Sequence, residues 1–342
     1  MRKLLNTLYV ATQGAYLSRK GETVRISVER EEKLRVPVHT LDGIVCFGQV
    51  TCSGPVLGLC AEHNVSVSFM SRTGRFLARV QGPISGNVLL RREQYRRSDA
   101  DEATEIARAV VAAKIANCRT VTLRSARESG VADSKKDLQR AAKRLADLIG
   151  DLEAAGDLMT VRGIEGIAGR QYFDVFDHLI RQQKDDFRFT GRSRRPPLDN
   201  INAMLSFAYT LLVHDVAGAL ETVGLDPQVG FLHRDRPGRP GLALDLMEEL
   251  RPVLADRLVL SLINRRQITL DDFEISESGA VTMSEKSRKT LIVTWQKRKE
   301  DVVEHPFLEE RIAIGLLPYA QALLMGRYLR GDLDGYPPYL WR

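Results

Sequence analysis

The hydrophobic pattern of the chain changes its period near residue 85. Before that point, short runs of apolar or alternating residues, as in AYLSRKGETVRISVER, are typical of β-strands. Gly21 lies between two such runs and predicts a hairpin turn, and a second turn is expected at Thr73–Gly74. The segment SGPVLGLCAEHN predicts one helix, which Ser53 can cap. Residues 1–85 are therefore expected to form a β-rich N-terminal domain with one helix.

Apolar positions recur every three to four residues in the rest of the chain, which is typical of amphipathic helices. Long helices are expected at 99–127 and 133–156, the first with acids at its start, where the helix dipole favours them. We interpret residues 86–98 as a linker and the start of a helix, and 99–342 as a helical catalytic domain. The predicted fold class is α+β, with a β-rich N-terminal domain and a larger all-helical C-terminal domain.

Composition adds little to this picture but limits the partners. A chain of 342 residues favours two domains, and a net charge of +6 permits a nucleic-acid partner without requiring one. The arginine-rich runs at 91–97 and 187–197 are either phosphate-binding or ordinary solvated surface.

The four cysteines have no CxxC spacing, and we interpret them as reduced core residues of a cytoplasmic protein. The start of the chain lacks the apolar core of a signal peptide, and no apolar run approaches ~18 residues. No membrane partner is therefore expected.

An imidazole and several acids occur together in FLHRDRPGRPGLALDLMEELRP, at 231–252. Asp245 and Glu248 are three residues apart, so they share one face of a predicted helix, and we interpret Glu249 as a surface acid. Such a pair gains a use if a divalent cation lies beside it. Mg²⁺ and Mn²⁺ prefer oxygen ligands, and Mn²⁺ also accepts an imidazole such as His233. The alternative is a solvated acidic face whose acids pair with nearby arginines.

A further acid, Glu165, lies in the first turns of a helix expected at 162–180. Gly166 and Gly169 follow it, although each weakens a helix by about 1 kcal/mol relative to alanine. Either another group approaches the backbone closely there, or the helix packs tightly and Glu165 is a solvated acid. His214, in an apolar helix further on, is interpreted as structural.

Several long segments together resemble the CRISPR-associated integrase family of spacer acquisition, the Cas1 family. They are EGIAGRQYF, RRPPLDNINAMLSFAYTLL, GLDPQVGFLHRDRPGRPGLALDLMEELRPVLADR and RYLRGDLDGYPPYLWR. The segments KLLNTLYVATQGAYLSRKGE and GRFLARVQGPISGNVLLRREQYR are similar to its type I-C branch. The resemblance spans essentially the whole chain, and it implies a β-rich N-terminal domain joined to a larger helical one.

The resemblance also implies a site and a cofactor. Glu165, His233 and Glu248 match the family's metal ligands, and Asp245 matches an acid close to the metal, so all four are predicted catalytic residues. The implied cofactor is Mg²⁺ or Mn²⁺. In this chain Gly241 precedes the LALD segment, where the branch commonly has serine.

The implied activity is the joining of DNA strands in CRISPR adaptation, in which the 3′-hydroxyl of new spacer DNA attacks the repeat of the CRISPR array. The implied partners are double-stranded DNA, a second copy of the chain in a homodimer, and a small second acquisition subunit, Cas2. The alternative is a metal-dependent, structure-selective DNA endonuclease, or a DNA-binding scaffold without joining activity. Because they are positively charged and near the predicted metal ligands in sequence, we predict that seven arginines bind DNA: Arg170, Arg192, Arg194, Arg195, Arg234, Arg236 and Arg239.

Overall fold

The computed structural model describes residues 7–41, 43–71, 76–80, 82 and 88–341, which divide into two compact units. The bounds of the first unit are Met1–Gly86, Trp295–Val302 and Ala313–Leu316, and those of the second are Asn87–Thr294, Val303–Ile312 and Leu317–Arg342. Two short segments from late in the chain, Trp295–Val302 and Ala313–Leu316, thus belong to the first unit. The division predicted from the sequence places them in the C-terminal domain.

Two four-stranded sheets form the frame of the first unit. Their strands are β1 (Thr7–Val10), β2 (Tyr16–Lys20), β3 (Thr23–Val28), β4 (Glu31–Pro37), β5 (Gly43–Phe47), β6 (Thr51–Cys52), β7 (Ser66–Met70) and β8 (Phe76–Val80). One sheet has the order β1-β5-β7-β8, with β1, β5 and β7 parallel and β8 antiparallel to β7. The other has the order β4-β3-β2-β6, with β6 parallel to β2.

Local sequence accounts for the turns of this unit. The hairpin between β2 and β3 turns at Gly21, whose φ of +59° favours glycine, and Leu17 pairs with Ile26 across it. Helix α1 (Gly54–Glu62) begins after Ser53, whose hydroxyl accepts a hydrogen bond from a backbone N–H at 3.4 Å. Both predictions are confirmed, whereas the turn expected at Thr73–Gly74 lies outside the described residues.

Helices dominate the second unit. They are α2 (Val88–Ser98), α3 (Glu102–Glu128), α4 (Ala132–Glu153), α5 (Leu158–Asp174), α6 (Asn200–Val223), α7 (Gly241–Leu250), α8 (Arg257–Asn264), α9 (Glu285–Glu300, whose end belongs to the first unit) and α10 (Leu317–Leu329). A π-helical segment, Arg251–Asp256, joins α7 to α8. Two short hairpins interrupt the helices: β9 (Phe273–Ile275) with β10 (Val281–Met283), and β11 (Val302–His305) with β12 (Glu310–Ala313).

The predicted α+β class, with strands first and helices after, is confirmed. The C-terminal part is mostly helical and not entirely so, because it also contains the two hairpins. The sequence did not predict these hairpins, since their strands are short and partly polar. The helices expected at 99–127 and 133–156 form within a few residues of those bounds. Residues 88–98, expected to be part linker, form a continuous helix. The four cysteines are free, and all but the half-buried Cys52 are buried.

Helix α6 is the most apolar long helix of the second unit. Asp199 caps it by accepting a hydrogen bond from the N–H of Asn202 at 2.7 Å, and Gly224 ends it in the left-handed region with φ +93°. By length and hydropathy α6 could cross a membrane, but 61% of its most apolar window is buried inside the protein. This burial is typical of a core helix.

Helix α3 is the element on which the candidate site depends. It packs against α4, α5 and α7, and its buried positions include Val110, Lys114 and Cys118. Lys114 thus lies on the face of α3 that contacts α5 and α7, with an apolar residue one turn before it and another one turn after it. A buried lysine requires opposite charges from those helices.

Candidate active site

Side chains from three helices and one loop meet where α3, α5 and α7 pack together. Lys114 comes from α3, Glu165 from α5, Glu248 from α7, and His233 from the loop before α7. Helix α5 begins at Leu158, so Glu165 lies near its middle and not in the first turns that the sequence predicts. The difference arises because the carboxylate of Asp157 caps the helix earlier, accepting two backbone N–H groups.

Asp245 organises the loop that carries His233. Its Oδ2 accepts hydrogen bonds from the backbone N–H groups of Phe231 at 2.6 Å and Leu232 at 2.9 Å. Its Oδ1 accepts one from the N–H of His233 at 2.9 Å and lies 2.6 Å from Nδ1 of the same residue. Because a carboxylate only accepts, the proton of the neutral ring lies on Nδ1, and Nε2 keeps its lone pair.

Two glycines allow the loop to approach α7 this closely. A Cβ on Gly230 would lie 2.7 Å from Oδ2 of Asp245, and one on Gly241 would lie 2.6 Å from the backbone oxygen of Gln228. In the structure the N–H of Gly241 donates to that same oxygen at 3.0 Å. Gly241, where the resembling branch commonly has serine, is therefore needed for the close contact in this chain.

Glu248 is buried, with 2% of its surface exposed, and two cations contact it. Nη1 of Arg251 lies 2.6 Å from its Oε1, and Nζ of Lys114 lies 2.8 Å from its Oε2. Burial acts to raise the pKa of Glu248, but the charges of Arg251 and Lys114 outweigh it and lower the pKa below its usual range. Glu248 is therefore an ionised acid at neutral pH, in the form that a metal ion would need.

Lys114 joins the two acids of the site. Its ammonium contacts Oε1 of Glu165 as well as Oε2 of Glu248, and 8% of the residue is exposed. Burial acts to lower the pKa of Lys114, but the Glu248 and Glu165 carboxylates outweigh it and raise the pKa. Lys114 is therefore a buried cation between two anions.

The residues fit a divalent cation by their chemistry. Nε2 of His233 lies 3.9 Å from Oε1 of Glu248, and Lys114 links that acid to Glu165. Two carboxylates and an imidazole whose second nitrogen is fixed by an acid suit Mg²⁺ or Mn²⁺. Within the described ranges, no three His, Cys, Asp or Glu side chains are already arranged as a metal-binding group. The positive charge between the acids is that of Lys114.

Asp245 has a different position from the other three predicted catalytic residues. Its hydrogen bonds are directed to the loop backbone and to Nδ1 of His233, on the side of the ring away from Glu248. Its contacts support the imidazole, and its role in catalysis stays a prediction.

A cavity of about 470 Å³ opens beside the acids. Glu165 and Glu248 are part of its wall, and so are three of the arginines predicted to bind DNA: Arg170, Arg192 and Arg194. Arg170 and Arg194 are exposed, so their guanidinium groups are accessible to a phosphate from solvent. The cavity brings these arginines, which are distant in sequence from Glu248, to the same site.

Arg192 already has partners within the protein. Its Nη1 donates a hydrogen bond to Oδ1 of Asn202, and its guanidinium lies 5.5 Å from the ring of Phe173 and 5.3 Å from that of Tyr209. Burial lowers its pKa. These contacts make Arg192 part of the cavity wall.

The remaining predicted arginines lie on surface segments. Arg195, Arg234 and Arg236 are exposed and Arg239 is half-buried. Nη2 of Arg234 lies 2.9 Å from the sulfur of Met159 on α5, so the loop after His233 contacts the start of the helix that carries Glu165. Their contacts with DNA stay predictions.

The acids of α7 are not a solvated face. Asp245, Glu248 and Glu249 are 0%, 2% and 0% exposed, because α3, α6 and α10 all pack against this helix. The alternative of a solvated acidic face is therefore wrong, and so is the interpretation of Glu249 as a surface acid.

Glu249 binds the C-terminal segment instead. Its Oε1 accepts a hydrogen bond from the hydroxyl of Tyr336 at 2.5 Å, and its Oε2 accepts one from the N–H of Tyr339 at 2.5 Å. Nε2 of Gln321 lies 3.2 Å from both oxygens. Burial raises the pKa of Glu249 to about 7, since these neutral donors offset it only in part.

Lys114 and Arg251 were missed in the sequence, although each left a signal. Lys114 interrupts the apolar run AVVAAKIANC, in a helix predicted to be amphipathic, and a charge at such a position requires a buried partner. Arg251 follows Glu248 by three residues, the spacing of a helical ion pair. Neither signal identifies the partner acid on another helix.

The chain matches the family model described as CRISPR associated protein Cas1 over residues 8–297. It is similar to CRISPR-associated endonuclease Cas1 1 of Chlorobaculum tepidum, with 54% identity over 343 residues and 100% of each chain covered. It is also similar to CRISPR-associated endonuclease Cas1 2 of Rhodospirillum rubrum, with 51% identity over 346 residues and 100% of each chain covered.

Solved structures share the fold. A CAS1 protein from Thermotoga maritima has a TM-score of 0.81 at 23% identity, covering 98% of this chain and 100% of the other. A casposase bound to integration product has a TM-score of 0.82 at 21% identity, covering 98% and 94%. A chain of a Cas6-RT-Cas1–Cas2 complex has a TM-score of 0.84 at 23% identity, covering 99% and 36%.

Proposed function

Because the chain belongs to the Cas1 family of CRISPR-associated proteins, we propose that it is a metal-dependent DNA integrase of CRISPR adaptation. One observation carries the proposal: two ionisable acids from separate helices, Glu165 and Glu248, meet through Lys114, and the Nε2 side of His233 faces Glu248. The two acids line a cavity with exposed arginines, which suits a phosphate substrate.

Glu165, Nε2 of His233 and Glu248 would hold Mg²⁺ or Mn²⁺. When bound, the ion would neutralise the phosphate and stabilise charge on the attacking and leaving oxygens. Asp245 holds the proton of the imidazole on Nδ1, so that Nε2 is available as a ligand. Arg251 fixes Oε1 of Glu248 and lowers the freedom of that side chain.

The reaction is a transfer between two DNA strands. The 3′-hydroxyl of the new spacer attacks a phosphate of the CRISPR repeat, a new phosphorus–oxygen bond forms, and the repeat strand leaves with its own 3′-hydroxyl. Arg170 and Arg194 position the backbone phosphates at the cavity. No side chain of the protein becomes bonded to DNA in this scheme.

The proposed partners are double-stranded DNA, a second copy of the chain and Cas2. The fold supports the last of these, because a chain that shares it is part of a Cas6-RT-Cas1–Cas2 complex. The proposed location is the cytoplasm.

Hydrolysis is the second candidate activity, and the naming of the curated relatives as endonucleases favours it. The same site activates a phosphate for either reaction, and only the nucleophile differs, a 3′-hydroxyl for joining and water for cutting. A DNA-binding scaffold without joining activity would use the arginines alone.

One experiment separates these activities. The purified chain, Cas2 and Mn²⁺ or Mg²⁺ are incubated with a labelled repeat duplex and short duplexes whose 3′ ends are free or blocked. Joined products that require the free 3′-hydroxyl are expected. Shortened strands alone, whatever the 3′ end, would establish a nuclease, and unchanged DNA that is nevertheless bound would establish a scaffold.

A further inference from the structure

One buried cation of the site has no role assigned in the proposed reaction. Lys114 is on α3, 8% exposed, with its ammonium on an oxygen of Glu165 and 2.8 Å from Oε2 of Glu248. A lysine is rarely buried to this degree without opposite charges, and here the opposite charges are the two acids expected to hold a metal ion.

We propose that Lys114 is an internal counter-cation of the candidate metal site, which holds the Glu165 and Glu248 carboxylates together and competes with the divalent cation for them. The inference rests on the proposed metal dependence of the chain. It makes Lys114 a positioning residue, since it acts through the two acids that it contacts.

The distribution of charge supports this role. Arg251 occupies Oε1 of Glu248, whereas Oε2 of Glu248 and Oε1 of Glu165 are both directed at Lys114. Without Lys114, the buried carboxylate of Glu248 would face that of Glu165, whose side chain is 28% exposed at the cavity. Because Glu248 is buried, its repulsion by a second carboxylate is only partly screened by solvent, and a cation between the two acids stabilises the pair in the absence of metal.

The same geometry implies competition. A divalent cation bound by these oxygens would lie within a few ångströms of the ammonium and be repelled by it. Lys114 therefore weakens metal binding while it stabilises the metal-free site. A lysine that served only to pack α3 against α5 and α7 would have no such opposing effects.

Metal binding without DNA tests the competition. Mn²⁺ is titrated into the purified full-length chain and free Mn²⁺ is measured by electron paramagnetic resonance. Lys114→Met, which keeps most of the apolar part of the side chain and removes its charge, is expected to lower the Kd for Mn²⁺ by about tenfold or more. Lys114→Arg is expected to restore the wild-type Kd, and Lys143→Met, on the exposed face of α4, is expected to leave it unchanged.

A double-mutant cycle in metal-free buffer tests the counter-cation independently. Lys114→Met is expected to lower the melting temperature, and Glu165→Gln combined with it is expected to raise that temperature again, because one of the two repelling charges is then gone. If Lys114→Met does not fold alone, Lys114→Gln takes its place in both measurements.

The outcomes are separable. If the wild type binds Mn²⁺ and the Kd of Lys114→Met is equal to or higher than that of the wild type, Lys114 does not compete with the metal ion. The proposed metal site would then still stand. Binding of Mn²⁺ by neither protein would defeat the metal proposal and the competition together, while the thermal cycle would still decide the counter-cation. If the effects of Lys114→Met and Glu165→Gln on the melting temperature are additive in that cycle, Lys114 is not a counter-cation of the two acids.

Discussion

Glu248 and Glu249 are consecutive residues of α7, both buried, but their surroundings differ in charge. Around Glu248, the cations Arg251 and Lys114 outweigh the effect of burial and lower the pKa. Around Glu249, the donors are neutral, and burial raises the pKa to about 7. One short helix thus carries an acid that stays ionised and an acid that takes up a proton near neutral pH.

The difference in charge separates the proposed metal ligand, Glu248, from Glu249, which holds the C-terminal segment. An acid whose partners are cations can exchange one of them for a metal ion and stay paired with positive charge. An acid enclosed by a tyrosine hydroxyl, an amide and a backbone N–H has its oxygens committed to those donors, so that it fixes the C-terminal segment against α7. Two adjacent acids therefore have different contacts, and the roles proposed for them differ as well.

The largest effect is expected from Glu248→Gln. Loss of one metal-binding carboxylate should reduce strand joining by about a thousandfold or more, since the ion supplies several kcal/mol of charge stabilisation. DNA binding should persist, because the arginines are unchanged. Glu249→Gln is the matched control and should keep joining within about tenfold of the wild type. Both are measured by strand transfer into a repeat duplex, and a reversed order of the two variants would contradict the assignment.

The second effect is on stability and comes from the other acid. Glu249→Ala removes the acceptor for Tyr336, Tyr339 and Gln321, and leaving these buried donors unpaired should lower the free energy of unfolding by about 3 kcal/mol. Chemical denaturation followed by circular dichroism measures the change. The Kd for Mn²⁺ of the folded variant should stay at the wild-type value. A loss of Mn²⁺ binding without loss of stability would make Glu249 a ligand.

A smaller effect is expected from Asp245→Asn. An amide can donate where the carboxylate only accepted, so it no longer holds both the loop N–H groups and Nδ1 of His233 in the same way. Affinity for Mn²⁺ should fall by about 10–100-fold, as for other groups that orient a metal-bound histidine. The exposed Asp235→Asn, in the same loop, is the control. Equal affinity in both variants would show that the ring is oriented without Asp245.

The smallest effect concerns pH. Because burial raises the pKa of Glu249 in the folded state above its ordinary 4.5, this acid favours folding most below about pH 4.5, and the benefit is lost as the pH rises through 7. The free energy of unfolding of the wild type, relative to that of Glu249→Gln, should therefore increase as the pH is lowered from 8 to 5. The lowered pKa of Glu248 has the opposite sign, so its contribution is present above pH 4.5 and is lost only on further acidification. Urea titrations of the wild type and Glu249→Gln from pH 8 to pH 5 check the first sign, and titrations of the wild type and Glu248→Gln extended below pH 4.5 check the second.

Local patterns in the sequence were sufficient for much of the fold. Ser53 is a cap because its side chain bonds to an amide only three residues away, and Gly21 turns a hairpin within its own segment. The grouping of Glu165 with the acids of α7 followed from a resemblance that covers the whole chain. Interactions that are local in the chain, or that a whole family shares, can be predicted from the sequence alone.

The errors arose where partners come from distant parts of the chain. Glu249 reads as one more acid on an amphipathic helix, and its donors Tyr336 and Tyr339 follow 87 and 90 residues later. Lys114 precedes its partner Glu165 by 51 residues, on a helix whose other buried positions are mostly apolar. Neither the spacing nor the composition of a segment specifies which helix will pack against it.

The most direct test of the metal site is a crystal of the protein grown with Mn²⁺, examined by anomalous scattering. We expect one peak within bonding distance of a Glu165 oxygen, of Nε2 of His233 and of a Glu248 oxygen, with the ammonium of Lys114 moved from between the two acids. A peak bound elsewhere, or one ligated by Glu249 and not by Glu248, would contradict the proposed site.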